Sequence, residues 1–156
     1  MRESVLRDYF LGVVDAVGLR EDLADSVVRT SHDVLTHYIT DDIGADFEIN
    51  ASHLISLCDA FLIGTLTGDH LELIGFALEV SEHFVWDDEN FDAEESPVAE
   101  TVHAWASPEI NYPLTNEIIT KFKHLLSTGE SLFTREDVPK QAKKRVVSPK
   151  ATNIKA

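Results

Sequence analysis

The chain has 156 residues, of which 44% are apolar and 26% charged, and its 28 acidic against 13 basic side chains give a formal charge of -15. That size suits one domain with a real hydrophobic core and is too small for two comfortable ones, while the apolar content argues against disorder across the body. No lysine or arginine occurs from Thr30 to Thr120, a span of 91 residues holding 19 aspartates and glutamates. Such a field repels nucleic acid and anionic membrane, costs stability through self-repulsion, and accelerates encounter with a positive surface, so the expected partner is a cationic protein.

Taken in chain order, residues 2–17 place Val5, Leu6, Tyr9, Phe10, Val13 and Val17 at three- and four-residue spacings, one stripe of an amphipathic helix despite Gly12. A second short helix is expected over Arg20 to Val28. The segments Val34 to Ile39 and Asp46 to Ile49 are short and rich in β-branched and aromatic residues, with Thr-Asp-Asp-Ile-Gly between them. They read as a small β-hairpin near residues 33–49.

Asn50 or Ser52 can cap a helix carrying Leu54, Leu57, Cys58, Phe61 and Leu62, which Gly64 stops. Thr67 can cap the next, where Leu71, Ile74 and Leu78 line one face and Leu73, Phe76, Ala77, Val80 and Phe84 another; apolar residues on two faces mark it as the central helix. Residues 86–95 read as a polar loop, and Ser96-Pro97 then matches an N-cap with proline at the first helical position. Ser107-Pro108 repeats that signal, but Pro113 limits it to one turn in a shaped loop. Thr115 caps a last helix with Ile118, Ile119, Phe122, Leu125 and Leu126 inward, and Gly129 ends it.

The expected fold is therefore mainly α: a single compact, bundle-like helical domain with a small hairpin, followed by a flexible tail. Residues 1–134 carry 6 basic and 26 acidic side chains, whereas 135–156 carry 7 basic and 2 acidic, so the body and the tail are electrostatic opposites. The basic tail, expected to be disordered, resembles a nucleic-acid or nuclear-localisation patch in composition at Lys140 to Val146; it could also fold back on the acidic body. The start Met-Arg-Glu-Ser lacks a secretory pattern and no apolar run approaches the roughly 18 residues that span a bilayer, so the expected location is the cytoplasm. The single cysteine, Cys58, excludes an intrachain disulfide and reads as a small buried hydrophobe.

The densest charge cluster is Asp87, Asp88, Glu89, Asp92, Glu94 and Glu95, with Trp86 and Phe91 set among the carboxylates. Aromatic anchors ringed by acids suit a protein interface, the aromatic giving buried area and the acids steering and pairing with Lys or Arg. Glu109 and Tyr112 are candidate additions to that surface. An EF-hand is not built here: with Asp88 first, Ala93 stands at the sixth position and Ala99 at the twelfth, where glycine and glutamate are needed.

The seven histidines, at 32, 37, 53, 70, 83, 103 and 124, form no His-x-x-x-His pair, and one cysteine cannot make a Cys/His zinc framework. Each is expected at the surface or at a helix cap, and no cofactor or metal is expected. Nucleophile-elbow, P-loop and dinucleotide glycine motifs are absent. The work expected of the chain is binding, not catalysis, although a hydrolase with two acids in a cleft is the enzymatic alternative.

The block His53-Leu-Ile-Ser-Leu-Cys-Asp-Ala-Phe-Leu-Ile-Gly-Thr-Leu66, then Leu71-Glu-Leu-Ile-Gly-Phe-Ala-Leu78, an acidic loop and a last helix, resembles the small acidic helical immunity proteins of bacterial toxin systems, the colicin D type among them. The phrase Trp105-Ala-Ser-Pro-Glu-Ile-Asn-Tyr-Pro-Leu-Thr115 is similar to one found in small bacterial proteins. The resemblance spans residues 50–129 and implies a helical bundle that blocks one basic cognate toxin or nuclease with its carboxylates. The alternative from the same charge is a DNA mimic that occupies a nucleic-acid-binding defence protein, and a further one is a structural or assembly domain whose acidity serves solubility.

Overall fold

A computed structural model describes residues 1–24, 26–31, 34–37, 39–86 and 96–139. Among these the chain is mainly helical: α1 (Glu3–Phe10), α2 (Ala16–Leu23), α3 (Ala51–Leu62), α4 (Gly68–Val80), α5 (Pro97–Ala106) and α6 (Asn116–Thr128). Four short strands complete it, β1 (Val27–Ser31), β2 (Val34–His37), β3 (Phe47–Glu48) and β4 (Phe84–Val85).

The helix starts follow from the capping residues. Asn50 and Thr67 each accept a hydrogen bond from the backbone N–H three residues on, at 3.1 and 3.3 Å, and Ser96, with Pro97 behind it, and Thr115 do the same for α5 and α6. At the far end of α6, Gly129 takes the left-handed conformation (φ 79°) and donates to the Leu125 carbonyl at 2.8 Å, closing the helix as a glycine can and a β-carbon residue resists. The Ser107-Pro108 segment makes one turn, with the Ile110 and Asn111 N–H groups both on the Ser107 carbonyl.

Packing pairs α4 with α5 and α3 with α6, and α5 also touches both members of the second pair. The core lies between them: Leu54, Leu57, Leu71, Ile74, Trp105 and Phe122 are all sealed from solvent. As expected of the central helix, α4 is heavily enclosed, burying Leu71, Leu73, Ile74, Gly75, Ala77 and Leu78, but Val80 at its end is exposed and Phe84, expected on its second face, lies beyond it on β4. Its glycine has a packing reason, since a β-carbon on Gly75 would sit 2.8 Å from the Ala106 nitrogen and from Trp105 Cβ. Cys58 is buried in α3, and that burial pushes its thiol up to about 12.

Three expectations are corrected. The single helix over 2–17 is broken after Phe10: Gly12 adopts φ 80°, Asp15 caps a new helix by accepting from the Gly18 N–H at 2.8 Å, and Val13 and Val17 end up 73% and 43% exposed instead of continuing the stripe. That early start ends α2 at Leu23, so the helix expected over Arg20 to Val28 gives way to β1, which takes Val27 and Val28. The strands near 33–49 are present but do not pair with each other. β2 runs antiparallel to β1, whereas β3 runs parallel to β4 in the register Phe47↔Phe84 and Glu48↔Val85. A parallel pair needs a long crossover, which α3 and α4 supply. The intervening Thr40–Gly44 segment is no hairpin turn, because Ile43 is only 3% exposed and anchors it to the core.

After Gly129 the chain folds back over α6. Phe133 stacks on Tyr112 with ring centroids 4.2 Å apart and contacts Phe122 at 4.7 Å, and Arg135–Asp137 forms a 3-10 turn. Asp137 binds Lys121 at 2.8 Å, a contact that holds the Asp137 carboxyl below its ordinary range. The start of the segment expected as a tail is thus seated on the domain, while residues 140–156 lie outside the described part. No helix among the described residues is long and apolar enough to cross a membrane.

Candidate partner-binding cleft

Residues 87–95, which hold seven of the ten candidate contact residues (Asp87, Asp88, Glu89, Phe91, Asp92, Glu94 and Glu95), lie outside the described residues. Their two attachment points are well defined. Trp86 follows β4 directly, and Ser96 is the N-cap of α5, fixed by its own hydrogen bond to the Ala99 N–H at 3.1 Å.

Between those points lies a cleft of about 350 Å³. Its walls are Ile49 and Ala51 at the β3–α3 junction, Trp86, Pro97 and Val98 opening α5, and Leu126 near the end of α6. The parallel β3–β4 pair brings the first and second of these together, through the Ile49 N–H on the Val85 carbonyl at 2.7 Å. Trp86 is half-buried and makes an edge contact with His103, ring centroids 6.3 Å apart, so one part of the indole is packed and the rest faces the cleft. Among the described lining residues Glu48, exposed at the mouth, is the one ionisable side chain. An apolar seat rimmed by a carboxylate is suited to holding an apolar group.

Glu109 and Tyr112 are not brought to this cleft. Glu109 is exposed in the turn after α5. Tyr112 stacks on Phe133 and meets Phe122 edge-on at 5.9 Å, so its ring is used inside the molecule; burial raises its phenol pKa, with the Glu100 charge acting in the same direction.

The basic side chains are largely answered by acids of the same molecule. Arg2 pairs with Asp22 at 3.3 Å, Arg7 with Asp8 at 3.2 Å, Lys121 with Asp137 and Glu117, and Lys123 with Asp59 at 2.6 Å. The exposed pairs among these add little stability, but together the pairings leave the excess carboxylates as the dominant outward charge.

The histidines separate into distinct roles. His53 and His70 occupy the third position of α3 and α4, and the Nδ1 of each accepts the N–H of its own cap residue, Asn50 at 3.1 Å and Thr67 at 3.0 Å. Both boxes were legible as a capping residue followed three positions later by a side-chain acceptor, with histidine standing where Glu or Gln is usual. Among the described residues one grouping has the makings of a metal centre, Asp41, Glu82 and His83, and spacing in the sequence gave no hint of it.

No protein-family model matches the chain, and no curated protein or solved structure is significantly similar to it.

Proposed function

We propose that the protein is an acidic binding module of the cytoplasm, an immunity-type inhibitor that neutralises a basic cognate toxin or nuclease. The observation that carries this reading is the apolar cleft lined by Trp86 and by Ser96 and Pro97, on either side of the carboxylate-rich segment 87–95. A long aliphatic or aromatic side chain of the partner enters the cleft, and the surrounding acids meet its Lys and Arg groups. Electrostatic steering sets the association rate, and the Trp86 seat sets the lifetime of the complex.

The test is capture of the partner on the immobilised full chain, release by salt, and assay of the released protein's activity with and without inhibitor. Charge reversal at Asp87, Asp88, Glu89 and Asp92 slows association and flattens its salt dependence, while Trp86→Ala accelerates dissociation by about 30-fold, as for an interface anchor worth ~2 kcal/mol. A partner whose binding is indifferent to both sets of changes refutes this site. The DNA-mimic alternative rests on the same excess of acids and predicts that the captured protein binds DNA and that DNA competes with the chain for it.

A further inference from the structure

A second cleft, also about 350 Å³, lies between the start of α1 and the end of α4, separate from the Trp86 cleft, and Glu3, Asp41, Ser81 and Glu82 line it. Glu3 is only 2% exposed, and its Oε1 is buried with no hydrogen-bond partner. A carboxylate oxygen in that position is costly to leave unsatisfied.

The backbone leaves Glu3 little choice of place. Its N–H donates to the Thr40 carbonyl at 3.0 Å, the Thr40 N–H donates to the Met1 carbonyl at 2.8 Å, and the Ser4 N–H and hydroxyl both donate to Asp42 at 2.8 and 2.6 Å. These bonds clamp the first turn of α1 against residues 40–42 and so bring Glu3 to Asp41. Burial is the main influence on the Glu3 carboxyl and raises its pKa; a hydrogen bond with Ser81 opposes that, and Asp41 adds to it.

Two of the lining acids, Asp41 and Glu82, group with the neighbouring His83, each of the three bringing one ligand atom within 4.8 Å of the others. His83 Nδ1 lies 3.2 Å from Asp46 Oδ1, which leaves Nε2 for another partner. A carboxylate on the far nitrogen is the usual way a metal-binding imidazole is oriented and made more basic. Three acids and an imidazole are drawn here from three separate parts of the chain, and one of the acids, Glu3, is buried with its Oε1 unpartnered.

We propose that Glu3, Asp41, Glu82 and His83 bind one divalent transition-metal ion, with Asp46 as the residue that positions His83. Oxygen donors with a single nitrogen suit manganese(II), iron(II) or zinc(II) better than the all-oxygen preference of calcium and magnesium. The site stands independently of any protein partner.

The full chain, stripped with chelator, is titrated with manganese(II) and the free ion followed by electron paramagnetic resonance, with excess magnesium present to displace loosely condensed cations. One saturable site per chain is expected. Asp41→Asn, on an exposed side chain, and His83→Gln, on a half-buried one, weaken it by at least about tenfold and Asp46→Asn by a similar factor, whereas Glu109→Gln leaves it unchanged. Nitrogen coupling in the bound-ion spectrum, lost in His83→Gln, identifies the imidazole ligand. Binding that does not saturate, that magnesium abolishes, or that persists in Asp41→Asn and His83→Gln overturns the proposal.

Discussion

Gly75→Ala separates two opposing effects by sign. In an ordinary helix interior this change stabilises by roughly 0.8–1 kcal/mol, because alanine loses less backbone entropy on folding. At position 75 the new methyl would lie 2.8 Å from the Ala106 nitrogen and Trp105 Cβ and 3.0 Å from the Trp105 carbonyl carbon, against 3.4–4 Å for ordinary contact. The obstacles are backbone atoms of Trp105 and Ala106 and the Cβ of the fully buried Trp105, so α4 and α5 must separate by at least about 0.6 Å. Overpacking costs about 1–3 kcal/mol, and contacts this short against backbone and Cβ atoms that cannot rotate away belong to the upper part of that range, about 2–3 kcal/mol, which leaves a net loss of ~1–2 kcal/mol after the helix gain is subtracted. Urea denaturation followed by far-UV circular dichroism should show a lower midpoint with an unchanged slope, and melting a few degrees lower. Gly68→Ala is the control, since its methyl would meet Leu114 at an unstrained 3.5 Å. If Gly75→Ala is as stable as the parent or more so, the close α4–α5 crossing is wrong.

Acidification should destabilise the domain through His53 and His70. Burial lowers both pKa values, so the folded state binds fewer protons than the unfolded; their contribution is complete above the unfolded value near 6.5 and declines as pH falls from there through the folded values. Each protonation removes the Nδ1 acceptor of a capping box, about 1 kcal/mol apiece. Denaturation midpoints at pH 8 and 5.5 should therefore differ, and the double variant His53→Gln/His70→Gln, which keeps an acceptor that cannot be protonated, should narrow the difference; an equal difference in both proteins rejects the role. Phe133→Ala removes the ring stacked on Tyr112 and packed on Phe122, and for a half-buried ring should cost ~2 kcal/mol with a changed near-ultraviolet tyrosine signal. No change in either would mean that residues after Gly129 are not part of the domain.

What the sequence revealed was mainly local chemistry. Asn50, Thr67, Ser96 and Thr115 cap as their types and positions predict, and Gly129 ends α6, because each of these decisions is made within four residues. The inward faces of α3 and α6 were readable for the same reason, as was that of α4 apart from Val80, which is exposed, and Phe84, which lies beyond the helix on β4. Pairing was not readable: the partner of Phe47 is Phe84, 37 positions away, and a two-residue parallel ladder leaves no pattern of its own. Glu3 was hidden differently. An acid in the first turn of a helix looks like an ordinary favourable charge at the positive end of the dipole, and only the bridge between Arg2 and Thr40 turns it inward. Trp86 drew notice through its setting among acids, while the cleft walls around it come from segments with no unusual composition.

The Trp86 cleft draws on residues 48–51, 86, 96–98, 126 and 129. During synthesis the wall made by Leu126 leaves the ribosome tens of residues after the first one, so a nascent or truncated chain has no seat to offer. Any occupant of that proposed seat would accordingly require a completed domain, and a tightly held one would in return draw the folding equilibrium toward the native state by mass action.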